Sequence, residues 1–191
     1  MSAAPAPEAD EPSRRRVLAL GGAGLAGASA AVLAACGAHR NHVKADAKPT
    51  PRDVGLLAGL LDLEQKTVAA YEAGIPLLDA TSAPAAEQFL RHELSHVGEL
   101  AGLIKKAGAK PQHPRLYDLG HPHSAEDVLA LLHRLESSQL RAYLATLPRL
   151  SGGPVRAALA AVLANDAQHV AVLRALQRQA PAPSAFVTGR E

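Results

Sequence analysis

Two stretches of this chain repeat each other in a way that few folds accommodate. Leu63-Glu64, Ala70-Tyr71 and Pro76 return as Leu135-Glu136, Ala142-Tyr143 and Pro148 at identical spacings. A second matching segment follows each: Glu93-Leu94-Ser95-His96-Val97 lies 29 residues after Glu64, and Asp166-Ala167-Gln168-His169-Val170 lies 30 after Glu136. A duplicated unit of two elements is the simplest account, and periodicity identifies the elements as helices. Steps of three and four residues join Leu57, Leu61, Glu64, Val68, Tyr71 and Ile75 in the first helix, and Phe89, Glu93, His96, Leu100, Leu103 and Ala107 in the second. They join Leu129, Leu132, Glu136, Leu140, Tyr143 and Leu147 in the third, and Leu159, Val162, Asp166, His169, Leu173 and Leu176 in the fourth. Each seam is apolar except where it turns an ionisable group inward.

Helix punctuation agrees with this division. Thr50 and Pro51 open the first helix, which the sequence carries to about Ile75, and Gly74 and Pro76 close it. The second is expected from about Ser82 to Ala107, and the third from Ser124, with Asp127 as capping partner, to just before Pro148. The fourth runs from about Pro154 to Gln179, where Pro181 and Pro183 forbid continuation. A chain 48% hydrophobic but only 3% aromatic, with no Trp, suits an Ala/Leu-rich all-α fold. The expected domain is a four-helix bundle over 51–180, with one long crossover between the second and third helices and a disordered tail over 181–191.

The inward polar groups demand a partner. Four carboxylates and two imidazoles on core-facing seams would each cost several kcal/mol if left ionised and unpaired. No Lys or Arg occupies the seam positions, so the sequence supplies no cationic side chain to compensate them. Two divalent cations would balance four carboxylates. Mixed carboxylate and imidazole donors suit Fe, Mn or Zn rather than the all-oxygen preference of Ca.

This pattern resembles the ferritin-like di-iron carboxylate superfamily, in which one Glu from each of two helices joins a Glu-x-x-His from each of the other two. The resemblance covers roughly residues 51 to 180 and implies a ferritin-like four-helix bundle. It also implies a dinuclear metal site, iron first, with Mn or Zn as alternatives. Glu64 and Glu136 would be the single carboxylates, with Glu93 and His96, and Asp166 and His169, as the paired ligands. Asp166 departs from the usual Glu, and its shorter side chain favours terminal over bridging ligation. Tyr71 and Tyr143 are placed to donate to the ligand carboxylates, and His133 is a further candidate donor one turn before Glu136. Glu72 and Glu99 fall off the seams, and His113, His121 and His123 lie in the crossover.

The superfamily includes iron oxidation and storage, oxygen activation, peroxide or superoxide disposal and dimanganese catalases, and the fold does not choose among them. The expectation carried forward is a metal-dependent redox protein acting on Fe(II), oxygen or peroxide. A non-enzymatic helical module that binds a partner or buffers metal is the alternative, and an exposed apolar stripe would favour it. His92-Glu93-Leu94-Ser95-His96 also fits the zinc metallopeptidase pattern H-E-x-x-H. Against that reading, the repeat replaces His92 by Asn165, no strand is available to dock a peptide, and Glu64, Glu136, Asp166 and His169 would go unused.

Export is written at the start of the chain. Ser13-Arg14-Arg15-Arg16-Val17-Leu18 is a twin-arginine pattern, and a Gly/Ala-rich stretch follows it to Ala35. Leu33-Ala34-Ala35-Cys36 resembles a bacterial lipobox, so residues 1–35 read as signal peptide, Cys36 as the lipidation site, and 36–50 as the lipidated residue and flexible linker. The expected location is the outer face of the cell membrane or envelope, anchored through lipid at Cys36. A lipid-tethered subunit on so short a linker argues against a closed storage shell. The net charge of +2 comes from scattered basic residues and gives no reason to expect nucleic acid binding. No motif specifies a protein partner or an oligomeric state.

Overall fold

A computed structural model describes residues 49–191, and the expected signal peptide, Cys36 and nearly all of the expected linker lie outside the described residues. Four helices account for the domain: α1 Pro51–Gly74, α2 Ala83–Lys106, α3 Ala125–Thr146 and α4 Gly153–Leu176. No β-strand occurs among the described residues, and none of the described helices is long and apolar enough to cross a membrane.

The repeated prolines act as expected. Pro76 and Pro148 lack the N–H that another α-helical turn would use, and after α1 and α3 the chain tightens into the 3-10 turns Ile75–Leu77 and Leu147–Arg149. At the start of α3, Ser124 Oγ accepts from Asp127 N at 3.1 Å, while the Asp127 carboxylate accepts from Ser124 Oγ at 2.8 Å. α4 stops three residues short of the expected Gln179. Arg178 adopts a left-handed φ of 59°, its N–H bonds to Ala175 O, and that of Gln179 bonds to Arg174 O. Gly108, with φ 84°, closes α2 through the same pair of bonds, to Lys105 and from Ala109 to Ile104.

Contacts at the helix ends fix the topology. Asp53, in the first turn of α1, accepts from Ser151 N at 3.0 Å just beyond α3, and Gly74 at the end of α1 packs so closely on Val128 at the start of α3 that an added Cβ would lie 2.7 Å from its Cγ1. α1 and α3 are therefore antiparallel. α2 ends at the level where α1 begins, whereas α3 begins at the level where α1 ends. The link over residues 107–124 must then run the length of the bundle, about 36 Å for a helix of 24 residues. It is pinned along α1: Gln112 Nε2 donates to Ala58 O at 2.8 Å, Gln65 Nε2 donates to Gln112 O, and Arg115 forms two bonds to Asp62.

α1 packs with α2, α3 with α4, and α1 with α3, and of the four neighbouring pairs α2 and α4 pack least closely. Two apolar plugs fill the interior. One is built around Leu57, Leu61, Leu100, Ile104 and Leu159, the other around Phe89, Val128, Leu132 and Leu173. Residues 181–191 form no helix or strand, and the buried Gly189 lies against α3, its carbonyl accepting from Arg141.

Candidate metal centre

Between the two plugs lies a polar layer. Glu64, Glu93, Glu136 and Asp166 are each 0% exposed, His169 is 1% and His96 is 8%. Each of the four helices contributes because the seam places its ionisable residue near mid-helix, at the level where the repeated halves meet. The structure thus brings all six sequence-predicted residues together.

Both imidazoles turn Nδ1 inward. His96 Nδ1 is 3.4 Å from Glu93 Oε1, 3.4 Å from Asp166 Oδ1 and 3.6 Å from Glu64 Oε2. His169 Nδ1 is 3.1 Å from Glu136 Oε1 and 3.3 Å from Glu93 Oε1. Two overlapping donor groups result, Glu93, Glu136, Asp166 and His169 in one and Glu64, His96 and Asp166 in the other, with the donor atoms of each within 4.8 Å of one another. Ligands held at about 2.1 Å from a shared ion lie up to about 4.2 Å apart, so small side-chain movements suffice to close either group on a cation. Asp166 belongs to both groups.

Unsatisfied atoms identify where a cation fits. Glu93 Oε1, His96 Nδ1, Glu136 Oε2 and both Asp166 oxygens are buried without a hydrogen-bond partner. These are the atoms that face one another across the layer. Oxygen and imidazole nitrogen donors of this kind suit Fe, Mn or Zn. The cluster could hold metal, and its chemistry fits one.

Other side chains orient the donors. Tyr71 OH donates to Glu136 Oε1 at 2.6 Å, and Tyr143 OH donates to Glu64 Oε1, so each tyrosine serves the carboxylate of the opposite half. His133 makes no hydrogen bond to the cluster, and its Nε2 is buried without a partner. Glu72 and Glu99 are exposed, and none of His113, His121 and His123 joins either donor group.

Three residues were not anticipated as parts of the site. Gln139 Nε2 donates to Glu64 Oε2 and to Glu93 Oε2, both at 2.8 Å. It stands three residues beyond Glu136 on the same helical face, a spacing that could have revealed it, but its counterpart in the first half is Thr67. Phe89 stacks on His169 with ring centroids 4.1 Å apart, and His92 Nδ1 lies 2.9 Å from His169 Nε2. His92 thus touches the back of a donor imidazole and is in neither donor group, which removes it as a joint zinc ligand with His96.

Protons redistribute to make the layer tolerable without metal. Burial, reinforced by the charge of Glu93, holds the Glu64 carboxyl well above its usual range and pushes Glu136 up to about 7. Burial and the charge of Glu136 also raise Asp166. Burial works against the charge on Glu93 too, but the imidazoles of His169 and His96, whose Nδ1 atoms lie 3.3 and 3.4 Å from Oε1, outweigh it and leave this carboxyl lowered. For His96 and His169, burial disfavours the cation. The nearby carboxylates of Glu64 and Glu93 outweigh it for His96, raised to about 10, and those of Glu136 and Glu93 do so for His169, raised to about 9. Burial and the neighbouring imidazoles lower His92. A neutral His92 then accepts at Nδ1 from His169 Nε2–H. Imidazolium and neutral carboxyl groups supply the compensation that no Lys or Arg provides.

A family model described as a ferritin-like domain matches residues 52–179. No curated protein matches the chain.

Proposed function

This chain belongs to the ferritin-like domain family, and from that premise we propose that it carries two divalent metal ions, iron first, as a redox protein of the cell envelope acting on Fe(II), oxygen or peroxide. The observation that carries the reading is the set of buried, unpartnered donor atoms facing one another from all four helices. Glu64, His96 and Asp166 would hold one ion, and Glu93, Glu136, Asp166 and His169 the other. Such a pair supplies electron exchange with small oxygen species when bound. Tyr71 and Tyr143 orient Glu136 and Glu64. His92 fixes which nitrogen of His169 carries the outward proton, leaving Nδ1 for ligation.

Elemental analysis of the purified chain, beside a Glu64→Ala/Glu136→Ala double variant, tests this directly. The expected result is about two Fe or Mn per chain, the stoichiometry of paired Glu-x-x-His sites, largely lost in the variant. Iron-loaded protein that consumes neither oxygen nor peroxide would leave metal buffering as the better account. The partner-binding alternative would draw on the exposed large apolar residues Leu77, Leu94, Leu116, Leu144, Val172, Phe186 and Val187, of which those within the helices, Leu94, Leu144 and Val172, belong to three different ones. Export and lipid anchoring at Cys36 are proposed from the twin-arginine and lipobox sequences. Replacing Cys36 by Ser should move the protein from the membrane fraction to the soluble fraction.

A further inference from the structure

The two halves are not equivalent around their imidazoles. On the His169 side, Phe89 stacks on the ring and His92 contacts its outer nitrogen, and the ring is 1% exposed. The corresponding positions of the second half are Val162 and Asn165, both smaller, and they stand on the His96 side. A recess of about 480 Å³ opens there between α2 and α4, walled by Ala161, Val162 and Asn165 on α4 and by His92, Ser95 and Glu99 on α2. Of the six donor residues only His96 lines it, and His96 is the most exposed of the six. Behind His96, Asp166 is fully buried with both carboxylate oxygens unpartnered.

We infer that this recess is the entry by which a small uncharged reactant, of the size and polarity of dioxygen or hydrogen peroxide, reaches the position held by Glu64, His96 and Asp166. The inference rests on the metal-binding reading above. The recess is mostly apolar, and Glu99 is the only acid lining it, so it lacks the ring of carboxylates that would strip and guide a hydrated cation. The four-donor position is shielded by Phe89 and His92, which makes the three-donor position the one a reactant meets first.

Nitric oxide, an uncharged diatomic, serves as the probe on anaerobic iron(II)-loaded protein, followed by the visible absorption it produces on binding ferrous iron. Ala161→Phe adds a ring at an exposed position of the recess, and Asn165→His restores the residue of the other half. An exposed Ala73→Phe on α1 serves as control. Both recess variants should keep the iron content of the unaltered chain and bind nitric oxide about tenfold more slowly, since a larger side chain on the wall shared with His96 narrows the approach to it, while the control binds at the original rate. Equal rates in all four proteins at equal iron content would overturn the entry. Slower iron uptake with unchanged nitric oxide binding would overturn it in favour of a cation path. An unaltered chain that takes up no iron would instead fail the metal reading itself, and is told apart by elemental analysis before any variant is compared.

Discussion

The buried acids and imidazoles of the central layer share protons in place of cations, and this dictates how the metal-free protein responds to pH. His96 and His169, raised to about 10 and about 9 from 6.5, contribute stability that is complete below pH 6.5 and lost as pH rises through those values. Glu136, raised to about 7 from 4.5, favours its neutral form in the fold, so its contribution also disappears as pH climbs through 7. Thermal unfolding of the metal-free chain should therefore shift to lower temperature between pH 5 and pH 10. With metal bound those protons are displaced, and metal affinity should rise over the same interval, measurable as proton release in a weakly buffered titration. Tyr71→Phe removes the tyrosine donor but leaves His169 Nδ1 3.1 Å from the same Glu136 oxygen, and should cost about 0.5–1.5 kcal/mol in denaturant unfolding, the usual net worth of one hydrogen bond. All six residues of the buried polar layer were legible because each interrupts an apolar seam. Gln139 and His92 were not, because the repeat was the guide and these two residues break it: Thr67 and Asn165 stand in their equivalent places.

Helix termini carry the next level of specification. Asp53 is buried and accepts from Thr50 N at 2.8 Å, from Thr50 Oγ1 at 2.9 Å, and from both the N and the Oγ of Ser151. Burial opposes its ionisation, but these bonds outweigh it and hold the carboxyl below its ordinary value. Asp53→Ala removes a cap and a tie between α1 and the turn after α3, and should lower stability by about 1–2 kcal/mol. The end of α4 offers the opposite case. Arg178 occupies a left-handed conformation that Gly108 fills at the end of α2, and Arg178→Gly should raise the unfolding free energy by about 0.5–1 kcal/mol in denaturant unfolding. Pro76, Pro148 and the Ser124–Asp127 pair were readable as boundaries because each acts within one turn of the chain. The end of α4 was misplaced because nothing in the identity of Arg178 announces φ > 0, and the prolines at 181 and 183 only set an outer limit. The path of the crossover along α1 depends on Gln112 and Arg115 meeting residues some fifty positions earlier, contacts that local pattern does not encode.

At the scale of the molecule, a four-helix bundle with one long crossover was legible from the repeat and the spacing of helix breakers, and the structure adds the reason the halves depend on each other. Tyr71 holds the carboxylate of Glu136, and Tyr143 that of Glu64. Neither hairpin can complete its own acid layer. A chain cleaved within the crossover should yield two fragments that are poorly folded apart and regain helicity and metal binding when mixed, as circular dichroism and elemental analysis of the mixture would show. The same reciprocity speaks to ancestry. Two copies of the first hairpin, facing each other, would already possess Glu64, Tyr71, Glu93 and His96 twice over, and Phe89 and His92 would cover both imidazoles alike. A self-pairing ancestor of this kind would have had a sealed centre. Divergence to Val162 and Asn165 after gene fusion would then have been the event that gave the protein a front and a back.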